Sequence, residues 1–125
     1  MNLRALVIDN ETDIRESVLS LVTMFCPEIS ELSSANSVSS GIEKIRIFKP
    51  DLVFLDVELG DGTGMSLLSH FTEFTFDVIF ITAHNKYAVD AFRLSAIDFL
   101  LKPINPEELI SAVQKVIEKK KKIFF

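Results

Sequence analysis

Residues 50–64 read "PDLVFLDVELGDGTG". Leu52–Leu55 is a short apolar run bounded by Asp51 and Asp56, the length and punctuation of a buried strand rather than of a helix. The loop that follows, "ELGDGTG" at 58–64, holds three glycines in seven residues. That composition suits tight turns and close backbone approach near Asp56, and equally suits a plain connection.

Outward from this stretch the pattern recurs. Apolar runs at Leu3–Ile8, Ile29–Ala35, Val78–Ile81 and Ala96–Leu101 alternate with longer segments of helical period. Such alternation predicts βα units around a parallel sheet of five strands. Ile14, Val18, Leu21, Val22 and Phe25 recur at the spacing of a first helix, ended by Pro27. Val38, Ile42, Ile45 and Phe48 mark a second, with Ser37 as its N-cap and Lys49-Pro50 as its stop. A third is expected over Met65–Phe71 and a fourth over Lys86–Leu94, where Ala88, Ala91 and Phe92 share a face. Before the fifth, "NPEE" sets Asn105 at the N-cap, Pro106 at the first helical position and Glu108 at the third, a capping-box arrangement. Leu109, Ile110, Val113, Val116 and Ile117 then form its apolar stripe. The lysines of the closing "EKKKKIFF" favour a helix C-terminus, and the three apolar residues after them have no evident burial, so the chain reads as cut short.

A chain of 125 residues fits one domain with a substantial core. With 48% hydrophobic residues, 25% charged and only four Gly and four Pro, it should pack rather than remain disordered, and its eleven Phe predict a Phe-rich core. A net charge of −5 disfavours nonspecific duplex binding, so no direct nucleic-acid contact is expected. The single cysteine, Cys26, cannot form an internal disulfide and sits in apolar "VTMFCP", where it reads as a small buried hydrophobe. No stretch approaches the ~18 apolar residues of a membrane span, and "MNLRALVIDNE" is broken by acids too early for a signal peptide. The expectation is a soluble, cytoplasmic domain without membrane association.

In an open parallel sheet, ligands bind beyond the carboxyl ends of the strands. The residues there are Asp9, Asn10 and Glu11 after the first strand, Asp56 on the third, Thr82 on the fourth and Lys102 after the fifth. Oxygen donors converging on one edge repel unless a hard cation sits among them, and Mg²⁺ prefers octahedral oxygen coordination. Lys102 and Thr82, with that cation, would neutralise a phosphoryl group on a carboxylate, for which Asp56 is best placed. Taken singly each residue has a plainer reading: Asp9 or Glu11 starting a helix, Thr82 as an ordinary strand residue, Lys102 as a solvated charge. His84 and His70 read as exposed histidines, and the group Phe71, Phe74 and Phe76 as core packing between the third helix and fourth strand.

Together, "LVIDNE", "PDLVFLDVELGDGTG", "VIFITAHN" and "AIDFLLKP" resemble the receiver domain of two-component response regulators, over residues 3 to about 120. The stretch "ITAHNKYAVDAFRLSAIDFLLKPI" is most similar to receivers that precede a LytTR-type DNA-binding domain. The resemblance implies a doubly wound, flavodoxin-like α/β fold with strand order 2-1-3-4-5 and five flanking helices, the receiver covering 1–121 and a linker beginning at 122–125. It implies Asp56 as phosphoacceptor, with Asp9, Asn10, Asp56 and the Glu58 backbone carbonyl around Mg²⁺ or Mn²⁺, and Glu11 as a further metal candidate. Thr82 becomes the switch hydroxyl, Lys102 the phosphate-contacting lysine and Phe99 the aromatic switch. The Lys102-Pro103 bond is expected to be cis, aiming Lys102 inward. The implied partners are a sensor histidine kinase, a second copy of the chain once phosphorylated, through a surface formed by the fourth helix, fifth strand and fifth helix, and a C-terminal DNA-binding output domain. The domain would catalyse only its own phosphorylation and dephosphorylation.

Two rivals stand beside this reading. An aspartate-nucleophile phosphohydrolase would use a similar set, but the second acid such enzymes carry two residues after the nucleophile is Glu58 here, and no cap insertion fits in the chain. A phosphorylation-independent interaction module is supported by Asn10, since receivers usually place an acid there. Loss of that charge should weaken the cation site while leaving an oxygen to face it.

Overall fold

The computed structural model describes residues 1–73, 75–84 and 96–123. Its elements are β1 (Leu3–Ile8), α1 (Thr12–Phe25), β2 (Ile29–Ala35), α2 (Val38–Phe48), β3 (Leu52–Asp56), α3 (Gly64–Leu68), β4 (Asp77–Thr82), β5 (Asp98–Leu101) and α4 (Pro106–Ile123). The strands form one sheet in the order β2-β1-β3-β4-β5, every neighbouring pair parallel. The helix expected over 86–94 lies outside the described residues, so α4 corresponds to the fifth predicted helix.

A parallel sheet between two helical layers must be apolar on both faces, and β3 is: every residue from Leu52 to Asp56 is buried. Leu52 and Phe54 face a core shared with Val18 and Val22 of α1 and with Leu109, Val113 and Val116 of α4. Val53 and Leu55 face the other core, with Val38 and Ile45 of α2 and Leu67 and Leu68 of α3. Phe54 and Phe80 are among the largest fully buried side chains, and most of the remainder is Leu, Ile and Val.

Several helix details follow the sequence. Ser37 Oγ accepts from Ser40 N at 3.0 Å, and Lys49, in the left-handed region at φ 52°, ends α2. Asn105 Oδ1 accepts from Glu107 N at 2.9 Å and Glu108 N at 3.3 Å, capping α4. Cys26 is buried in the first core, and burial pushes its thiol pKa up.

Others depart from it. Phe25 is not on the buried stripe of α1; it is 46% exposed, and Cys26, four residues after Val22, fills that place. The third helix stops at Leu68 instead of Phe71, because the chain tightens into a turn with His70 N donating to Leu67 O and Phe71 N to Leu68 O. That turn brings the Phe71 ring edge-on to Phe76, centroids 5.8 Å apart, against the second core. Phe74 lies outside the described residues. The fifth strand begins at Asp98, two residues later than expected, although Ala96 still packs on the core.

Candidate functional site

The expected site residues meet at the carboxyl edge of the sheet. Asp9, Asp56 and Thr82 are the buried polar or charged residues among those described, each at or just past the end of a central strand. Asp56 is 3% exposed and ends β3; Thr82 ends β4. Lys102, directly after β5, is held by its backbone N–H donating to Thr82 O at 2.8 Å. Asn10, Glu11, Asp56, Glu58, Thr82 and Lys102 line a cleft of about 340 Å³ over this edge.

Lys102 Nζ is the hub, 3.2 Å from Asp9 Oδ2, 3.3 Å from Glu11 Oε1 and 3.4 Å from Asp56 Oδ2. Burial opposes its charge, but the carboxylates of Asp56 and Asp9 more than offset this and raise its pKa. Asp56 is pushed up to about 6, first by burial and then by Asp9, against the lowering pull of Lys102 and of the Glu58 N–H. The carboxylate is thus costly to ionise, and added positive charge in the cleft would favour its ionised, nucleophilic form.

The loops on either side are built to present these groups. Asp9 Oδ1 accepts from Glu11 N at 2.8 Å, and Arg15 Nη1 donates to Asp9 O at 2.8 Å, tying the start of α1 to the end of β1. After β3, Glu58 pairs with Thr63 in an antiparallel bridge, with Leu59 N donating to Gly62 O and Gly64 N to Val57 O. Gly60 takes φ +84°, as the tight turn requires. At Gly64 a Cβ would come within 2.6 Å of Asp56 O, so the glycine allows the helix to start against the strand end itself. Close backbone approach, one of the two uses open to the glycine-rich loop, is therefore realised.

Asn10 does something unexpected. One end of its amide lies 3.1 Å from Asp56 Oδ2 and 3.2 Å from Glu58 O, and because both neighbours are acceptors, nitrogen is the end that satisfies them. With the amide turned over, its oxygen stands at those same distances from the other two, and neighbouring oxygens around an octahedral Mg²⁺ stand about 3 Å apart. Asp9 Oδ2 is buried without a well-directed hydrogen bond, although Lys102 lies at ion-pair distance. The donor set of Asn10, Asp56, the Glu58 carbonyl and Asp9 thus fits a hard divalent cation. It does so with one amide and one carbonyl, since among the described residues no three acidic, His or Cys side chains form a ready metal cage.

The remaining expected residues are also located. Glu11 faces Lys102 at the cleft wall. Phe99 pairs with Phe80 across β4 and β5 while Thr82 pairs with Leu101, so Phe99 and Thr82 stand on one sheet face a pleat apart. Phe99 is half-buried against the second core. The Lys102-Pro103 peptide is cis. His84 is exposed, its N–H donating to Thr82 Oγ1 at 3.0 Å and its Nε2 3.5 Å from Glu58 Oε1, while His70 Nδ1 is 3.0 Å from Ser66 O. Asp61 escaped the sequence reading: its carboxylate accepts from Val38 N at 2.8 Å and Ser39 N at 3.2 Å, clipping the post-Asp56 loop to the start of α2. Only its position in a turn before a helix signalled it, and its partners are more than twenty residues away.

Residues 5–114 match the family model described as the response regulator receiver domain. The chain belongs to that family. The receiver is 38% identical to an uncharacterized response regulatory protein of Vibrio cholerae over 96% of this chain and 51% of that protein. It is 34% identical to the sensory transduction protein LytT of Enterococcus faecalis (90% and 47% covered) and 35% to the transcriptional regulatory protein LytR of Staphylococcus aureus (91% and 47%). The chain therefore spans about half the length of the curated relatives it matches. Its fold superposes on the REC domain of AraT, a response regulator from Geobacillus stearothermophilus, with TM-score 0.88 at 27% identity over all of both chains. No helix among the described residues of the receiver is long and apolar enough to cross a membrane.

Proposed function

We propose that this receiver takes a phosphoryl group from the phosphohistidine of a sensor histidine kinase onto Asp56. The observation that carries the reading is the Asp56 carboxylate itself, buried to 3% yet opening on the cleft, with Lys102 Nζ at 3.4 Å. In the transfer a carboxylate oxygen forms the new O–P bond as the P–N bond breaks, and the imidazole departs with that bond's electron pair. Lys102 neutralises charge on the moving phosphoryl oxygens, and Thr82 Oγ1, at the end of the adjacent strand, can donate to one of them. Mg²⁺ or Mn²⁺ bound by Asp9, Asp56, the Glu58 carbonyl and Asn10 would supply further positive charge there.

The phosphorylated state is proposed to act through Thr82 and Phe99. Recruitment of the hydroxyl toward the phosphoryl group would free space on the sheet face that the two residues share, biasing the surface around β5 and α4 toward a second copy or an output domain. The name of the Staphylococcus aureus relative, a transcriptional regulatory protein, supports an output on gene expression.

Incubation with Mg²⁺ and acetyl phosphate, followed by intact-mass measurement, is the test. One phosphoryl adduct on the wild type and none on Asp56→Ala is expected. Absence of the adduct, or the same yield from Asp56→Ala, would overturn the reading. Absence of the adduct would favour instead a phosphorylation-independent interaction module, which Asn10 supports because an amide with nitrogen inward takes up the two oxygens a cation would need.

A further inference from the structure

Asn10 stands where a carboxylate would simply add charge to the cleft, yet its contacts are those of a donor. With its nitrogen turned inward, the amide donates to Asp56 Oδ2 at 3.1 Å and to the Glu58 carbonyl at 3.2 Å, the orientation that satisfies both acceptors. These acceptors lie on different segments from Asn10: Asp56 on β3 and Glu58 in the loop after it, with Asn10 in the loop between β1 and α1. A single amide in that orientation stitches two loops together at the acceptor, donating to the same Asp56 oxygen, Oδ2, that Lys102 Nζ approaches at 3.4 Å. An aspartate could do neither, since an ionised carboxylate only accepts.

An amide has two faces, and a half-turn about its last torsion exchanges nitrogen for oxygen with little change of shape. With nitrogen inward the pocket is held by two hydrogen bonds; with oxygen inward the same position is a neutral ligand for a hard cation. The two arrangements exclude each other, because both use Asp56 Oδ2 and the Glu58 carbonyl.

We infer that Asn10 is a reversible latch on the cation subsite: its amide nitrogen holds Asp56 to Glu58 until a divalent cation displaces it and turns the amide oxygen inward. This inference rests on the phosphoacceptor reading for the placement of the cation. It makes Asn10 a positioning residue with two consequences. The acceptor pocket stays organised without a cation, and a cation binds less tightly than the oxygen count suggests, because it must first break a hydrogen bond to a charged group. One such bond corresponds to about a tenfold to hundredfold loss of apparent affinity.

The test uses the ¹⁵N-labelled chain and follows the Asn10 side-chain NH₂ pair, assigned by its loss in Asn10→Asp. In EDTA the pair should show the dispersed shifts and slow solvent exchange of a hydrogen-bonded amide. Added Mg²⁺ should abolish that protection along the same saturation curve as the backbone signals of Asn10 and Glu58. In thermal melts Asn10→Asp should be less stable than wild type in EDTA and should gain more from Mg²⁺, since it has lost the donor and gained a charge. An unprotected NH₂ pair in EDTA, a pair that ignores Mg²⁺ while the backbone titrates, or no Mg²⁺ response at all would overturn the latch. If Asp56 accepts phosphate but the NH₂ pair does not respond, only the latch fails. If the pair responds but Asp56 is never phosphorylated, the phosphoacceptor reading fails.

Discussion

At Asp56 the fold holds a carboxyl under conditions that oppose its charge. Burial and the neighbouring Asp9 raise its pKa from 3.8 to about 6, so the native state favours the protonated form relative to the unfolded chain. The cost of ionised Asp56 is full above pH 6, declines as pH falls through 6, and is absent below about 3.8. Asp56→Asn removes that cost. In EDTA it is expected to stabilise the domain at pH 7.5 by on the order of 2 kcal/mol after allowance for solvent screening, with about a third of that gain left at pH 4.5. Urea melts of both proteins at the two pH values provide the check, and an equal gain at both would contradict it. Gly64 tests the opposite kind of constraint, that of space. A Cβ there meets the Asp56 carbonyl at 2.6 Å and Leu55 Cγ at 3.0 Å, and backbone cannot swing aside as a flexible side chain can. Gly64→Ala should cost about 1–3 kcal/mol in urea unfolding and slow phosphorylation by acetyl phosphate through displacement of Asp56.

Among the elements, α2 is tied to the loop after Asp56 through its N-terminus. Three of its free N–H groups have partners: Ser40 N donates to Ser37 Oγ, and Val38 N and Ser39 N to the Asp61 carboxylate. Those bonds hold the Asp61 carboxyl below its ordinary pKa. Ser37→Ala should cost about 1 kcal/mol. Asp61→Ala should also destabilise, and the double variant should lose less than the sum, because both caps restrain one helical turn that frays once either is gone. A double-mutant cycle from urea melts measures this, and strict additivity would show the two caps to be independent. Ser37 was legible in the sequence because an N-cap is a local pattern of hydroxyl before apolar period. Asp61 was not, since its role depends on where a loop lands after the chain has crossed the sheet. The same division holds elsewhere. Apolar runs disclosed the five strands, most weakly at Ile29–Ala35, which Ser30, Glu31, Ser33 and Ser34 interrupt, and the strand-end rule brought Asp9, Asp56, Thr82 and Lys102 to one edge. The end of α3 and the exposure of Phe25 were missed because an apolar residue at helical spacing does not show which neighbour competes for the core. The orientation of the Asn10 amide was likewise beyond reach, being set by two acceptors on another segment.

On the scale of the whole molecule, the sheet separates two cores, and the cleft lies at the strand ends between them. A signal written on Asp56 can leave the edge by way of β4 and β5, where Thr82 and Phe99 share a face. Beside β5 a groove of about 380 Å³ runs along α4, lined by Phe99, Leu101, Glu108, Ser111 and Lys115. The position of α4 against the sheet is pinned by ion pairs, Lys115 to Asp98 at 2.8 Å in the groove itself and Lys119 to Asp77 beyond it, so a change at β5 is read against a held helix. Moving a two-state equilibrium of this face from 1:99 to 99:1 takes about 5.5 kcal/mol, more than one rearranged side chain contributes. If Asp56 is phosphorylated as proposed, the phosphoryl group has to reorganise a face rather than a contact. With Mg²⁺ and beryllofluoride, a mimic of the aspartyl phosphate, light scattering is expected to show a rise from monomer toward dimer. Phe99→Ala should still acquire one phosphoryl group from acetyl phosphate, since its side chain is not among those lining the cleft, yet lose the mimic-dependent rise in mass. The same monomer for wild type with and without the mimic would remove dimerisation from the proposal. A Phe99→Ala variant that dimerises as wild type does would instead show that the signal leaves the edge by another route.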